Sequence, residues 1–266
     1  MSKFFSMQSQ YPQHWYYKYD IPHLILGVVS LVIFAGLEFA KPNPLYFPPN
    51  DSNSLFPHPG KSTIPTWLAI VLVAVIGIVT ILVLFAISYK FPKICRKFNV
   101  YSALWNCAAV VGVSSILVDV LKNYVGRPRP DMIALCGENF TGAYSTCKSG
   151  VSKSAFNDNY RSWPSGHSSS AMSGFIYLAL LIQKSLIFSR TIGTFIAALY
   201  ILFALYIGAT RIRDFKHHTD DVLAGFFIGY IISRLIWDQC LDYIYETNDK
   251  EHDIKLDNED KSTSGV

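Results

Sequence analysis

Residues Pro65–Ile87 read PTWLAIVLVAVIGIVTILVLFAI, without one charged side chain. A helix needs about 20 consecutive apolar residues to cross the hydrocarbon core of a bilayer. A surface helix of a soluble protein carries a polar stripe, and this segment has none, so it reads as a transmembrane helix. Outward from it, five more segments qualify or nearly qualify: Ile21–Ala40, Tyr101–Leu121, Ser168–Ile187, Thr191–Ala209 and Val222–Trp237. Thr191–Ala209 is also uncharged, and Lys184 and Arg234 sit near the ends of their segments, where long cations can reach the interface. The expected fold is all-α: a six-transmembrane-helix bundle over residues 21–245. A short N-terminal segment, 1–20, precedes it. The acidic segment 246–266, without apolar periodicity, reads as a disordered tail.

Composition agrees. The chain of 266 residues is 51% hydrophobic and 16% charged, against about 25% charged in a typical soluble domain. A net charge of +4, with no basic stripe bearing stacking aromatics, argues against nucleic acid as a partner. The first twenty residues lack the basic start and apolar core of a cleavable signal peptide. Their Trp15, Tyr16, Tyr17 and Tyr19 fit an interfacial aromatic belt or an ordinary loose terminus.

Lysine and arginine in short loops set orientation. Lys90, Lys93, Arg96 and Lys97 follow the second segment, and Lys184 and Arg190 flank the next loop on that side. With six spans, that side also holds both termini and is taken as cytosolic. The other side, outer or lumenal, receives Leu45–Lys61, Lys122–His167 and Arg211–Asp220. It carries two glycosylation sequons, at Asn50 and Asn139, of which Asn139 is the better placed. Cys136 and Cys147 share the same side, where oxidation would permit a disulfide. Cys95, Cys107 and Cys240 are expected as free thiols, and the five cysteines show no zinc spacing.

Polar residues gather on that outer side in three clusters: Lys122 with Arg127 and Arg129; Pro164-Ser165-Gly166-His167; and Thr210-Arg211 followed by His217-His218 and Asp220-Asp221. Each cluster alone has a plain reading, as a headgroup-facing cap, a helix start or a chance ion pair. Together on one face they call for an anion. Transfer of a phosphoryl group requires fixed donors and cations around its three oxygens. Arg129 and Arg211 can offer bidentate forks and Lys122 a point charge. The Ser165 and Gly166 amides stand at a helix start, which favours an anion. One histidine can attack phosphorus while the other protonates the leaving oxygen, and Asp221 can orient and stabilise the attacking ring. His217 lies four residues before Asp221; His218, or a pairing of His217 with Asp220, is the rival arrangement. No carboxylate cluster suits Mg²⁺ or Ca²⁺, so no cofactor is expected.

At these positions the chain resembles the type 2 phosphatidic acid phosphatases, or lipid phosphate phosphatases. Lys122, Arg129 and Pro130 match the first family motif, Pro164 to His167 the second, and Arg211, His217 and Asp221 the third, with Thr210 where the family has Ser. The resemblance implies a metal-independent membrane hydrolase acting on phosphatidate, lysophosphatidate or diacylglycerol pyrophosphate. It implies His217 as nucleophile forming a phosphohistidine, His167 as general acid and Asp221 as the orienting carboxylate. Lys122, Arg129, Ser165, Gly166 and Arg211 would cradle the phosphate. The segment Gly126–Asp131 looks most like plant and fungal members. The alternative within the superfamily is a phosphatase of a polyprenyl pyrophosphate or a sugar phosphate. Outside it stand a haloperoxidase with the same cradle, which six spans argue against, and a lipid-binding protein, which has no use for an acid and a nucleophile. Membrane lipid is the expected environment, phospholipid the expected partner, and a homo-oligomer is left open.

Overall fold

A computed structural model describes the chain over residues 15–45, 52–58 and 60–263, with side chains throughout except at Tyr17, Ser52 and from Glu246 on. Six long helices form the body: α1 Ile21–Leu37, α2 Thr66–Lys90, α3 Val100–Val125, α6 Gly166–Ser185, α7 Arg190–Arg213 and α8 Thr219–Thr263. Two short helices, α4 Met132–Cys136 and α5 Lys153–Asp158, lie in the long connection from α3 to α6. Among the described residues there is no β-strand, only an isolated bridge pairing Cys95 with Leu186. The backbone of α8 is helical through Thr263, so the stretch expected to be an irregular tail is largely helical. Its side chains, residues 264–266 and Asn50 lie outside the described residues.

Local chemistry sets the helix ends. Asp20 caps α1 by accepting the His23 amide, Asn99 caps α3 by accepting from Tyr101 and Ser102, and Ser189 caps α7 by accepting from Ile192. Side-chain oxygens of this kind satisfy amides that a helix start leaves open. At the other end of α3, Gly126 takes a left-handed conformation (φ 61°) and returns its amide to the Lys122 carbonyl, a terminator that suits glycine.

Helices α2, α3 and α7 are each long and apolar enough to cross a membrane, and α1 is apolar but shorter, at 17 residues. Along α2, Trp67, Ile70, Val71, Val75, Ile78, Val79, Leu82 and Val83 stand exposed. That contiguous apolar surface is what a bilayer would cover. All six expected segments fall on helices, but α6 and α8 are not among those long and apolar enough to cross a membrane, and for α6 its position explains why. It is packed by α8, α7, α3 and α2, and most of its residues are buried, including Ser168, Ser169 and Ser173. A central helix facing protein rather than lipid can be serine-rich, and small residues bring membrane helices close. The seam with α8 is closest at Gly225 and Gly229, where a Cβ would fall 2.4 Å from the Ser165 carbonyl oxygen and 2.5 Å from that of Ser169.

The end of the bundle bearing Lys90, Lys93, Arg96 and Lys97 is closed by backbone hydrogen bonds from Arg96 to Ser185 (2.8 Å) and from Asn99 to Ile244 (2.8 Å). At the opposite end lie the C-termini of α1, α3 and α7 and the N-termini of α2, α6 and α8. All three polar clusters meet there. The α3–α6 connection builds a small core of its own from Met132, Cys136, Phe140, Phe156 and Tyr160, and a disulfide joins Cys136 to Cys147. Asn139, in the same region, is exposed.

Candidate active site

Helix ends position the charges. Lys122 lies in the last turn of α3 and Arg211 in the last turn of α7, where cations complement the negative end of the helix dipole. Gly166 and His167 open α6, whose positive end favours an anion. These residues, with Arg129 and His217, line one cavity of about 360 Å³. A Cβ at Gly166 would stand 3.0 Å from Lys122 Nζ, so a side chain there would press on the end of the lysine that lines the cavity.

Each cation is held by a carboxylate. Arg211 donates to Asp214 at 2.7 Å and to the Thr210 hydroxyl at 3.1 and 3.2 Å. Asp214 in turn accepts from the Thr63 amide and hydroxyl at 2.7 and 2.6 Å. Arg129 pairs with Asp158 at 2.8 Å, and Lys122 stands 3.9 Å from Asp119. Five cations (Lys122, Arg129, Arg161, Arg211, Lys216) and three carboxylates (Glu38, Asp119, Asp158) line the cavity. The surplus is positive, as a bound phosphate dianion requires. Buried atoms without a partner among the described residues include Arg129 Nε and His167 Nε2. Buried polar groups are nearly always hydrogen-bonded, so these two await something that enters the cavity.

His217 is almost fully buried. Its Nδ1 lies 2.7 Å from the Ser162 carbonyl oxygen. A carbonyl only accepts, so Nδ1 carries the proton and Nε2 keeps a lone pair. Burial drives the His217 pKa down to about 4, helped by Arg129 and Lys122 and opposed by Asp221; the ring is therefore neutral near pH 7. His167 is also held well below the usual histidine value, first by burial and then by Arg211, His217, Lys122 and Arg129.

Asp221 sits behind His217, fully buried, with Oδ2 3.7 Å from Nδ1. That is too far for a hydrogen bond but close enough for charge. The carboxylate accepts from the Ser162 hydroxyl at 2.5 Å, the His218 amide at 2.8 Å and Arg127 at 2.7 Å. Burial alone would raise its pKa; nearby His217, His218 and Ser162 outweigh burial and keep it ionised. Ser165 takes a different place from that expected. Its amide donates to the Asp221 carbonyl at 2.9 Å and its hydroxyl caps α6, so it anchors the site from behind and does not line the cavity.

Residues 103–244 match the PAP2 superfamily. The chain belongs to that superfamily. It is 27% identical to "Probable lipid phosphate phosphatase 4" of Arabidopsis thaliana, over 85% of this chain and 72% of that protein. It is 28% identical to "Probable diacylglycerol pyrophosphate phosphatase 1" of Schizosaccharomyces pombe, over 62% of this chain and 63% of that protein. Against "Phospholipid phosphatase 2" of Homo sapiens it is 29% identical, over 59% of this chain and 57% of that protein. Over these alignments the chain therefore spans between roughly half and three quarters of each relative's length. No solved structure matches the chain.

Several residues of this PAP2 site were not legible as such in the sequence. Ser162 contributes a carbonyl to His217 and a hydroxyl to Asp221. Arg127, which the sequence already grouped with Lys122 and Arg129, takes a partner the sequence did not indicate, bridging Asp221 and Asp220. Arg161 reaches from the cavity to Glu38 beyond the end of α1, at 3.0 Å. Lys216 lines the cavity and pairs at 2.7 Å with buried Asp131, which also binds His58 at 2.6 Å. Lys216 stands beside the motif residue His217, a signal that adjacency could have supplied; Arg161 becomes a cavity residue only through folding, which also brings His58 to Asp131.

Proposed function

We propose that this PAP2-superfamily phosphatase hydrolyses phosphate esters of membrane lipids through a phosphohistidine. The observation that carries the reading is the pairing of a neutral, tautomer-fixed His217 with an unpartnered His167 Nε2 on one cationic cavity. The Nε2 lone pair of His217 attacks phosphorus as the bond from phosphorus to the lipid oxygen breaks. His167, protonated, gives its proton to that oxygen, and the lipid alcohol leaves. Water then attacks phosphorus, His167 takes up a proton, and the bond to His217 breaks to release phosphate. Lys122, Arg129 and Arg211 hold the equatorial oxygens throughout. Burial and the surrounding cations depress the His167 pKa; the negative charge of the substrate offsets those cations, so the proton enters with the substrate.

The relatives' names, which speak of lipid phosphates, diacylglycerol pyrophosphate and phospholipids, support phosphatidate, lysophosphatidate or a lipid pyrophosphate as substrate. The basic loops at the opposite end of the bundle support a site on the outer or lumenal face with cytosolic termini. The test is phosphate release by the purified full chain in detergent. The panel is phosphatidate, lysophosphatidate, diacylglycerol pyrophosphate, a polyprenyl pyrophosphate and a sugar phosphate, each with and without a chelator. Lipid esters should be cleaved equally well with chelator present, and not at all by His217→Ala. Preference for the sugar phosphate, or loss of turnover on chelation restored by Mg²⁺, would overturn the reading.

A further inference from the structure

The polar cavity continues into an apolar one. A second cavity of about 460 Å³ adjoins it, and Phe34, Ile70, Ser115 and Ser170 wall both. It exists because α1 and α2 each pack on α3 but make no extended contact with each other, leaving a face of α3 as the back of a groove. Along α2 the groove runs from Ile70 to Ile81, and along α3 from Ser115 to Leu104. Eleven residues at about 1.5 Å each make either wall about 16 Å long. One leaflet of a bilayer is about 15 Å of hydrocarbon, half of the ~30 Å core.

Polarity changes along this path in the order of a lipid's own chemistry. Cations and histidines surround the upper cavity. At the junction stand two hydroxyls, Ser115 Oγ and Ser170 Oγ, 3.2 Å apart. Below them the lining is apolar apart from the Cys107 thiol, and the small side chains of Ala74 and Ala108 leave width. We propose that this groove holds one acyl chain of the substrate. The phosphate would lie in the cradle, the linking ester at Ser115 and Ser170, and the chain end near Ile81 and Leu104. The inference rests on the lipid phosphatase reading above, and commits to the substrate's own chain because the groove is continuous with the phosphate cavity.

Ala74 gives the test. It lies one turn below Ile70, lines the groove and is exposed, so an indole there would enter the groove without displacing protein. Val79 is exposed on the same helix and is not part of the groove. In mixed micelles, Ala74→Trp should lower the ratio of kcat/KM for dioleoyl phosphatidate to that for nitrophenyl phosphate at least tenfold. Val79→Trp should leave the ratio unchanged. Independently, wild-type protein with a phosphatidate bearing a terminal diazirine should label peptides around Ile81 and Leu104, in competition with unlabelled phosphatidate. An unchanged ratio, or diffuse labelling of lipid-facing positions that does not compete, would mean that only surrounding bilayer lipid fills the groove, and the proposal fails. If Ala74→Trp does not fold, the wild-type labelling decides. Wild-type cleavage of nitrophenyl phosphate but of no lipid ester would instead overturn the lipid reading itself.

Discussion

Asp221→Asn tests how the site stabilises its attacking ring. When His217 Nε2 takes the phosphoryl group, the imidazole becomes positively charged. The Asp221 carboxylate is 3.7 Å from its Nδ1. At an effective dielectric near 20, two unit charges at about 4 Å attract by about 4 kcal/mol, which is roughly a thousandfold in rate. The ring should not turn over in the variant, because its Nδ1 hydrogen bond goes to the Ser162 carbonyl and survives the change. The expected result is a fall of about a thousandfold in the burst rate of phosphoenzyme formation, with His217 still carrying the phosphate. Rapid-quench measurement with labelled phosphatidate reads the rate, and peptide mapping at low temperature reads the position. A thermal melt guards against a folding defect, since Asn still offers an acceptor to Ser162 and His218. A burst rate within tenfold of wild type would refute the reasoning: Asp221 would then be a scaffold whose charge does not act on the ring.

Further outcomes follow from the same geometry. His167→Ala should slow the burst severely with phosphatidate, whose alkoxide is strongly basic, and much less with nitrophenyl phosphate, because a general acid is worth about 10²–10⁴-fold where the leaving oxygen needs a proton; equal losses would remove the acid role. His217 is nucleophilic only when neutral, and its pKa is lowered to about 4, so its contribution to kcat/KM should be lost only as pH drops through about 4, once the separately measured ionisation of the substrate phosphate is divided out; a residual acidic limb near 6.5 would contradict this. Replacing Cys136 and Cys147 by Ser opens a loop of eleven-residue separation and should cost about 3 kcal/mol of local stability, seen as a lower melting temperature or faster proteolysis of residues 132–160, with kcat nearly kept. In eukaryotic expression, exposed Asn139 should carry a glycan, and Asn139→Gln should remove most of a glycosidase-sensitive mobility shift; protease access to the C-terminal segment from the lumenal side would mean the orientation is reversed.

What the sequence made legible is what depends on residue type. Lys122, Arg129, His167, Arg211 and His217 had to be cations and imidazoles, and the expected topology already placed them on one face. The helical nature of Pro65–Ile87 was equally plain, because an uncharged run of that length has few other uses. Ser162 was hidden because its contribution to His217 is a carbonyl, which every residue possesses. Ser165 was misjudged because its amide does point out of a helix start, but α8 is close enough for the Asp221 carbonyl to take it. The crevice between α1 and α2 left no mark, since a groove wall and a lipid-facing wall are built from the same Val, Ile and Ala. Gly225 and Gly229 did carry a signal, two glycines one turn apart in an apolar helix.

Those two glycines bear on where the enzyme can be broken. His167 rides at the start of α6, and Asp221, with the loop holding His217, at the start of α8; the seam that sets these two helices side by side lies inside the helix bundle. Gly229 is eight residues from Asp221, about 12 Å down the helix axis. A methyl group added there would act as a wedge between two levers whose upper ends carry His167 and the loop of His217. Clearances between two packed helices thus become tolerances of the site at their ends, and the spacing of His167 and His217 belongs to the helical frame as much as to the loops that display it.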